Sequence, residues 1–174
     1  MHATVELLRE GGLRAAAPAA IAERAGAGKM SLYRHFGGKD ELIAEALRDN
    51  GPGAMHKSLV GTTVEDDPRQ RILAIFDRLA RRAEEGTLRP CIYVTTRLEV
   101  TDPDHPAVPV TGEYKREVAD TLASWLRDLG HPEPESTARA ISILIDGSIV
   151  HAIMLDSSGP IHDARHAAET LLGT

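Results

Sequence analysis

A single cysteine, Cys91, in a chain of 174 residues excludes an intramolecular disulfide framework and any multi-cysteine zinc or iron–sulfur site within one chain. Aromatic residues make up only 3% of the sequence, so the core must be built from Ala, Leu, Ile and Val, which favours helices. Long hydrophobic runs are scarce too. The most apolar stretch, Ala140 to Leu155, is interrupted by Asp146, Gly147 and His151 and falls short of a bilayer span of roughly 20 residues. The opening Met-His-Ala-Thr-Val-Glu has neither the basic start nor the apolar run of a secretory signal. These absences lead to the expectation of a soluble, cytoplasmic chain with no membrane partner. What is present agrees with that: 42% hydrophobic and 26% charged residues suit one globular domain, or a small domain fused to a larger one.

The net charge of −6 is unevenly spread. Residues 1–48 hold seven cations (Arg9, Arg14, Arg24, Lys29, Arg34, Lys39, Arg48) against six acids, whereas the remainder holds thirteen against twenty. No acid lies between Glu23 and Asp40, where Arg24, Lys29, Arg34 and Lys39 fall. A short cationic segment on an acidic body suits local contact with phosphate, the body itself being repelled from a duplex.

Helical periodicity and punctuation divide the chain. Val5, Leu7 and Leu8 belong to a first helix that stops at Gly11-Gly12. Pro18 opens a second, since proline fits a first helical position where its missing N–H is not needed. That helix ends at Gly26, a third runs from Gly28 to about Phe36, and a fourth starts after Gly37-Gly38 with Asp40 and Glu41 suited to its positive end. A short helix is expected over residues 54–60. A longer one starts at Asp66-Asp67-Pro68 and ends near Gly86, with Ile72, Ile75, Phe76 and Leu79 at helical spacing. Cys91 to Val100 has strand propensity at Ile92, Tyr93, Val94, Thr95 and Thr96, but the sequence offers no partner strand and a helix is expected. Asp102-Pro103-Asp104-His105-Pro106 reads as a loop. Val118, Leu122, Trp125, Leu126 and Leu129 mark a helix to Gly130, followed by helices from Glu135 to Asp156 and from Ile161 to Leu172. The fold class is all-α: an N-terminal three-helix domain with a helix-turn-helix over residues 1–48, and a helical domain over residues 49–174.

Residues 17–36 have the helix-turn-helix spacing. Ile21 and Ala25 are expected inside, Ala22 is the small residue at the helix crossing, Gly26 supplies the turn, and Leu32 and Phe36 anchor the second helix. Leu32 and Phe36 share a face, which leaves Lys29, Met30, Tyr33, Arg34 and His35 largely outward. Spacing alone fits any helical hairpin as well.

The wording of the segment goes further. Ile21-Ala22-Glu23-Arg24-Ala25-Gly26, then Lys29-Met30-Ser31-Leu32-Tyr33-Arg34-His35-Phe36, then Lys39-Asp40-Glu41-Leu42 make the stretch from Glu6 to Leu47 resemble the DNA-binding domain of the tetracycline-repressor (TetR) family of bacterial transcription regulators. The rest of the chain looks like the family's variable regulatory domain, with Pro90-Cys91 and the Asp102 to Pro106 pattern resembling one of its subgroups. The resemblance implies a helical homodimer, most often a repressor, whose recognition helices enter successive major grooves of a palindromic operator and whose C-terminal domain binds a small effector. It also implies residue roles. Lys29, Met30 and Ser31, at the start of the recognition helix, would read base edges, Lys29 pairing with guanine and Met30 touching a thymine methyl. Tyr33, His35 and Lys39 match positions that hold phosphates or line the DNA face, and Arg34 adds an outward cation. Ala16 and Ala17 stand where the family carries threonines, so a phosphate-contacting hydroxyl and an N-cap are absent.

Two further surfaces are expected. The helix from Glu135 is apolar nearly all round, so Ile141, Ile145, Ile149 and Ala152 are taken as a dimer interface formed with a partner's equivalent helix. Four of the six aromatic residues fall between Phe76 and Trp125. Phe76, Tyr93, Arg97, Tyr114, Trp125 and Asp146 are therefore candidates to line an effector pocket, and the scarcity of charge among them points to a mainly apolar molecule.

Catalytic and metal chemistry finds little support. Gly26 to Ser31 has a superficial likeness to a phosphate loop, but Glu23 and Met30 occupy positions that would need glycine and a hydroxyl. There is no Gly-x-Ser-x-Gly elbow, no His-Glu-x-x-His, and no nucleophile–base pair, so an enzyme is not expected. His162 and His166 lie four apart, a spacing that can bind metal, but no third ligand accompanies them and no cofactor is expected. Cys91 close to Arg89 could favour thiolate, against the default of a structural cysteine. The competing reading is a small helical ligand- or metal-binding protein whose DNA-binding domain is degenerate.

Overall fold

The computed structural model describes residues 1–51 and 67–173, apart from the side chains of Lys29 and Tyr33; the helix expected over 54–60 lies outside the described residues. Within them the chain is all-helical. The helices are α1 (His2–Ala15), α2 (Pro18–Arg24), α3 (Lys29–Phe36), α4 (Lys39–Asn50), α5 (Pro68–Glu84), α6 (Ile92–Glu99), α7 (Ala107–Asp128), α8 (Pro134–Leu155) and α9 (Gly159–Leu171). Two compact units divide them. The first holds α1 to α4, α6 and α7 as far as Lys115; the second holds α5, α7 from Arg116, α8 and α9.

In the first unit α1 packs on α2, α4 and α6, and α3 packs on α2 and α4. Val5, Leu7 and Leu8 of α1, Ile21 and Ala22 of α2, and Leu42, Ile43 and Leu47 of α4 make the core. The stop expected at Gly11-Gly12 is a break inside α1 rather than its end: both glycines leave helical geometry, after which one further turn reaches Ala15. The segment with strand propensity is helical, as expected, over Ile92–Glu99. It sends Ile92, Tyr93 and Thr96 into the core.

In the second unit α8 and α5 both pack on α9 and on each other. Asp67 caps α5, its carboxylate accepting from the Arg69 amide at 3.1 Å, with Pro68 at the first helical position. Ile72, Ile75, Phe76 and Leu79 are buried at the spacing the sequence shows. The Arg165 guanidinium donates to Asp77 at 2.7 Å and ties α9 to α5.

α8 runs over Pro134–Leu155, close to the expected Glu135 to Asp156, and its 22 residues are long and apolar enough, by length and composition, to cross a membrane. Its buried stripe is Ala138, Ile141, Ile145, Ile149 and Ala152, at helical spacing against its own unit. Ile141, Ile145, Ile149 and Ala152 therefore belong to the core and not to a dimer surface. The exposed apolar residues of α8 are Ile143, Val150, Ile153, Met154 and Leu155.

One buried polar atom among the described residues has no hydrogen-bond partner, the Thr96 hydroxyl, whose residue is fully buried. Valine has nearly the same shape without the unmatched oxygen. Thr96→Val is expected to be neutral or to stabilise the fold by about 1 kcal/mol, read as an unchanged or raised Tm. A clear fall in Tm would mean that the hydroxyl is satisfied in solution.

Candidate nucleic-acid interface

The turn between α2 and α3 closes as a helix C-terminus should. The Gly26 N–H donates to the Glu23 carbonyl at 3.1 Å, and the Ala27 N–H donates to the Ala22 carbonyl at 2.9 Å. This double closure requires a left-handed residue between the helices, and Gly26 sits at φ +62°. Ile21 and Ala22 are buried and Leu32 and Phe36 half-buried, so the hairpin is held by the faces expected from spacing. Ala25 differs: expected inside, it is exposed because it caps α2.

On the outer side of α3, Met30 is 80% exposed, Arg34 and His35 are exposed, and Ser31 is half-buried with its amide donating to the Gly28 carbonyl. Lys29 opens the helix and Tyr33 lies one turn on. The cations of this segment are not equally available. Arg24 makes a two-pronged contact with Glu10 of α1, at 2.8 and 3.1 Å, and Glu6 lies 3.8 Å away. The Arg24 guanidinium holds the Glu10 carboxyl below its ordinary range. Lys39 is half-buried, and its ammonium donates to the Leu13 carbonyl at 3.0 Å. An ammonium has three donors, so this bond leaves Lys39 able to reach a phosphate as well.

Behind the hairpin, α6 and the loop after it touch the same region. The Leu13 N–H donates to Glu99 at 2.6 Å. His105 accepts the Ala107 N–H on Nδ1 at 3.0 Å, so its other nitrogen, Nε2, carries a proton and faces Asp40 in the first turn of α4 at 3.3 Å. The Asp102 to Pro106 loop thereby both leads into α7 and contacts α4.

The candidates for effector contact fall into separate units. In the first, Tyr93 and Tyr114 are buried and stacked, with ring centroids 3.8 Å apart. The Tyr93 hydroxyl donates to the Leu47 carbonyl and accepts from Asn50, both at 3.0 Å, which commits it to the end of α4. Arg97 is exposed and donates to the Val100 carbonyl, so its charge is at the surface. In the second unit Phe76 is buried, Trp125 is buried beneath the Arg71 guanidinium at 5.3 Å, and Asp146 is half-buried. An open apolar groove of about 450 Å³ on α8 and α9 is lined by Ala140, Ile143, Leu144, Ala167, Thr170 and Leu171. Among the described residues no group of three or more His, Cys, Asp or Glu is placed to hold a metal ion.

Comparison with known proteins assigns the family. The family model for bacterial regulatory proteins of the tetR family matches residues 1–46, and the model for tetracyclin repressor-like C-terminal domains matches residues 101–174. The chain belongs to the TetR family. It is 26% identical over 173 residues to the HTH-type transcriptional regulator BetI 1 of Chromohalobacter salexigens, covering 97% of this chain and 84% of that one. A TetR-type transcriptional regulator from Streptomyces avermitilis superposes with a TM-score of 0.80 at 27% identity, over 97% of this chain and 94% of the other. A TetR-family regulator from Streptomyces coelicolor has the same fold, with a TM-score of 0.80 at 21% identity over 98% and 90% of the two chains.

For a TetR-family transcriptional regulator, the competing reading of a binding protein with a degenerate DNA-binding domain is not favoured. Two residues at the base of the DNA-binding helices escaped the sequence reading, Glu99 and His105. The broken helix at Gly11-Gly12 leaves amides in need of an acceptor, which is a signal that one exists, but nothing in the linear sequence says that residue 99 supplies it.

Proposed function

We propose that this chain is a cytoplasmic, effector-responsive regulator, most simply a repressor, that binds a palindromic operator as a homodimer. Residues 1–48 engage the DNA, and residues 49–174 carry effector binding and dimerisation. The observation that supports it most is the closed α2–α3 hairpin presenting Met30, Arg34 and His35 to solvent at the start and along the outer face of α3. Lys29, Met30 and Ser31 then read bases, while Tyr33, His35 and Lys39 contact or line the phosphate backbone. The dimer surface is the exposed side of α8 with the groove against α9, centred on Ile143 and Leu171, which gives the apolar length of α8 a protein partner in place of a membrane. The function needs no catalysis and no cofactor.

The effector is a mainly apolar small molecule. No charged side chain is buried among the described residues, and the buried polar side chains are the hydroxyls of Thr4, Thr96, Thr111, Thr137 and Ser148. Effector and operator binding are reciprocal: whatever factor the effector takes from DNA affinity, DNA takes from effector affinity. A thermal-shift screen followed by DNA release tests this, and a compound that stabilises the fold yet leaves DNA affinity unchanged would count against the switch.

DNA recognition is tested by selecting duplexes from a random pool and titrating the selected duplex with salt. Binding should weaken steeply as counterions are released. Lys39→Ala is expected to weaken all sequences alike and to lower the salt slope by about one, whereas Lys29→Ala relaxes preference at one or two positions of each half-site. A change of base preference in Lys39→Ala at unaltered affinity would overturn the phosphate assignment.

A further inference from the structure

Leu13 is held from both sides of its own backbone. α1 is interrupted at Gly12, whose φ of +63° and ψ of −154° lie in a region that only glycine occupies readily. After such a break the next amides have lost their acceptor one turn back. The Glu99 carboxylate supplies one, taking the Leu13 N–H at 2.6 Å, so the last residue of α6 acts as a cap on the final turn of α1. The approach is close enough that a Cβ on residue 12 would clash with the Glu99 carboxylate. The carbonyl of the same Leu13 accepts from Lys39 at 3.0 Å, and Lys39 is the first residue of α4, just beyond the recognition helix.

We propose that Glu99 is a positioning residue for DNA binding, fixing through Leu13 the carbonyl on which Lys39 rests so that the ammonium is pre-set to reach a phosphate. The proposal rests on the DNA-binding reading above. A lysine side chain that is already held loses less freedom on binding than a free one, and the advantage vanishes if its anchor can move. α6 thus acts on the DNA face without touching DNA, through one residue of α1. Charge alone predicts the opposite, because an acid near the phosphate backbone should weaken binding and its removal should strengthen it.

The test is a double-mutant cycle read as affinity for a duplex selected from a random pool by the wild-type chain. Glu99→Asp keeps the charge but withdraws the carboxylate by one methylene. It is expected to weaken binding roughly fivefold in the wild-type background and by less than about twofold in Lys39→Met. Glu99→Gln keeps an acceptor oxygen at the same reach and is expected to bind within about twofold of its parent in both backgrounds. Equal loss from Glu99→Asp in the two backgrounds, or no loss in either, overturns the positioning role alone. Should Glu99→Asp not fold, Glu99→Ala, which removes the acceptor, carries the test: a loss of binding as large in Lys39→Met as in the wild-type background, or no loss in either, overturns the proposal. A wild-type chain that enriches no duplex, or a Lys39→Met variant that binds as well as wild type, removes instead the reading on which it rests.

Discussion

Ile143→Glu is expected to give a folded monomer, and Ile145→Glu, two residues further along the same helix, a chain that does not fold. The side chain of Ile143 is 71% exposed and that of Ile145 is 2% exposed. A carboxylate at Ile143 meets water in the isolated chain and should change the stability of the unit by no more than about 0.5 kcal/mol. At a two-fold interface it would meet its own copy in an apolar groove, and the pair would be driven apart. At Ile145 the same carboxylate enters the core, at a cost of several kcal/mol, comparable with the whole stability of a domain. Sedimentation and melting separate the outcomes: half the mass with a cooperative melting transition, lowered only by the loss of the partner, for Ile143→Glu, and loss of the melting transition for Ile145→Glu. DNA binding by the monomer should fall by roughly two to four orders of magnitude, because the second half-site no longer binds as a tethered partner. An Ile143→Glu chain that keeps the wild-type mass would remove this face of α8 from the interface.

Gly12→Ala is expected to be the most damaging of the small substitutions in the first unit. The backbone at Gly12 lies where a Cβ is strained, at about 1–3 kcal/mol. The added carbon would also meet Glu99 and push its carboxylate off the Leu13 amide, forfeiting a charge-assisted bond worth about 1.5–3 kcal/mol. Together these should lower the Tm by roughly 5–15 °C. Gly28→Ala is the matched control. Nothing stands within 4 Å of where its Cβ would lie, and the change should be within about 0.5 kcal/mol of neutral. Equal melting temperatures for the two variants would mean that α1 is not broken at Gly12 in solution.

Much of the architecture is legible in the sequence because it is local. Pro18, Pro68 and Gly26 act on their own neighbours, and the helices begin and end close to where these residues demand. Ile92 to Thr96 has strand propensity but no partner strand, and the structure shows why it is helical: Ile92, Tyr93 and Thr96 fall on one side of a helix and are buried together. Long-range choices are not legible in that way. α8 is apolar on nearly every side, so periodicity says that it must be covered but not which stripe its own chain covers; the fold buries the side of Ile145 and leaves Ile143 exposed. Lys39 reads from sequence as a free cation, and only the fold brings the Leu13 carbonyl, 26 positions away, to its ammonium. Tyr93 reads as a pocket aromatic until the carbonyl of Leu47 and the amide of Asn50 are found at its hydroxyl.

The placement of the few aromatic residues makes the two units separately observable. Trp125 is the sole tryptophan and belongs to the second unit, whereas Tyr33, Tyr93 and Tyr114 all belong to the first. Red-edge excitation of indole emission therefore follows the second unit alone, where Arg71 lies over the ring. Tyrosine absorbance follows the first. If the two signals lose their native values at different urea concentrations, the chain unfolds in two steps, and the stability of the unit that holds the helix-turn-helix can be measured apart from that of the unit that holds α5, α8 and α9.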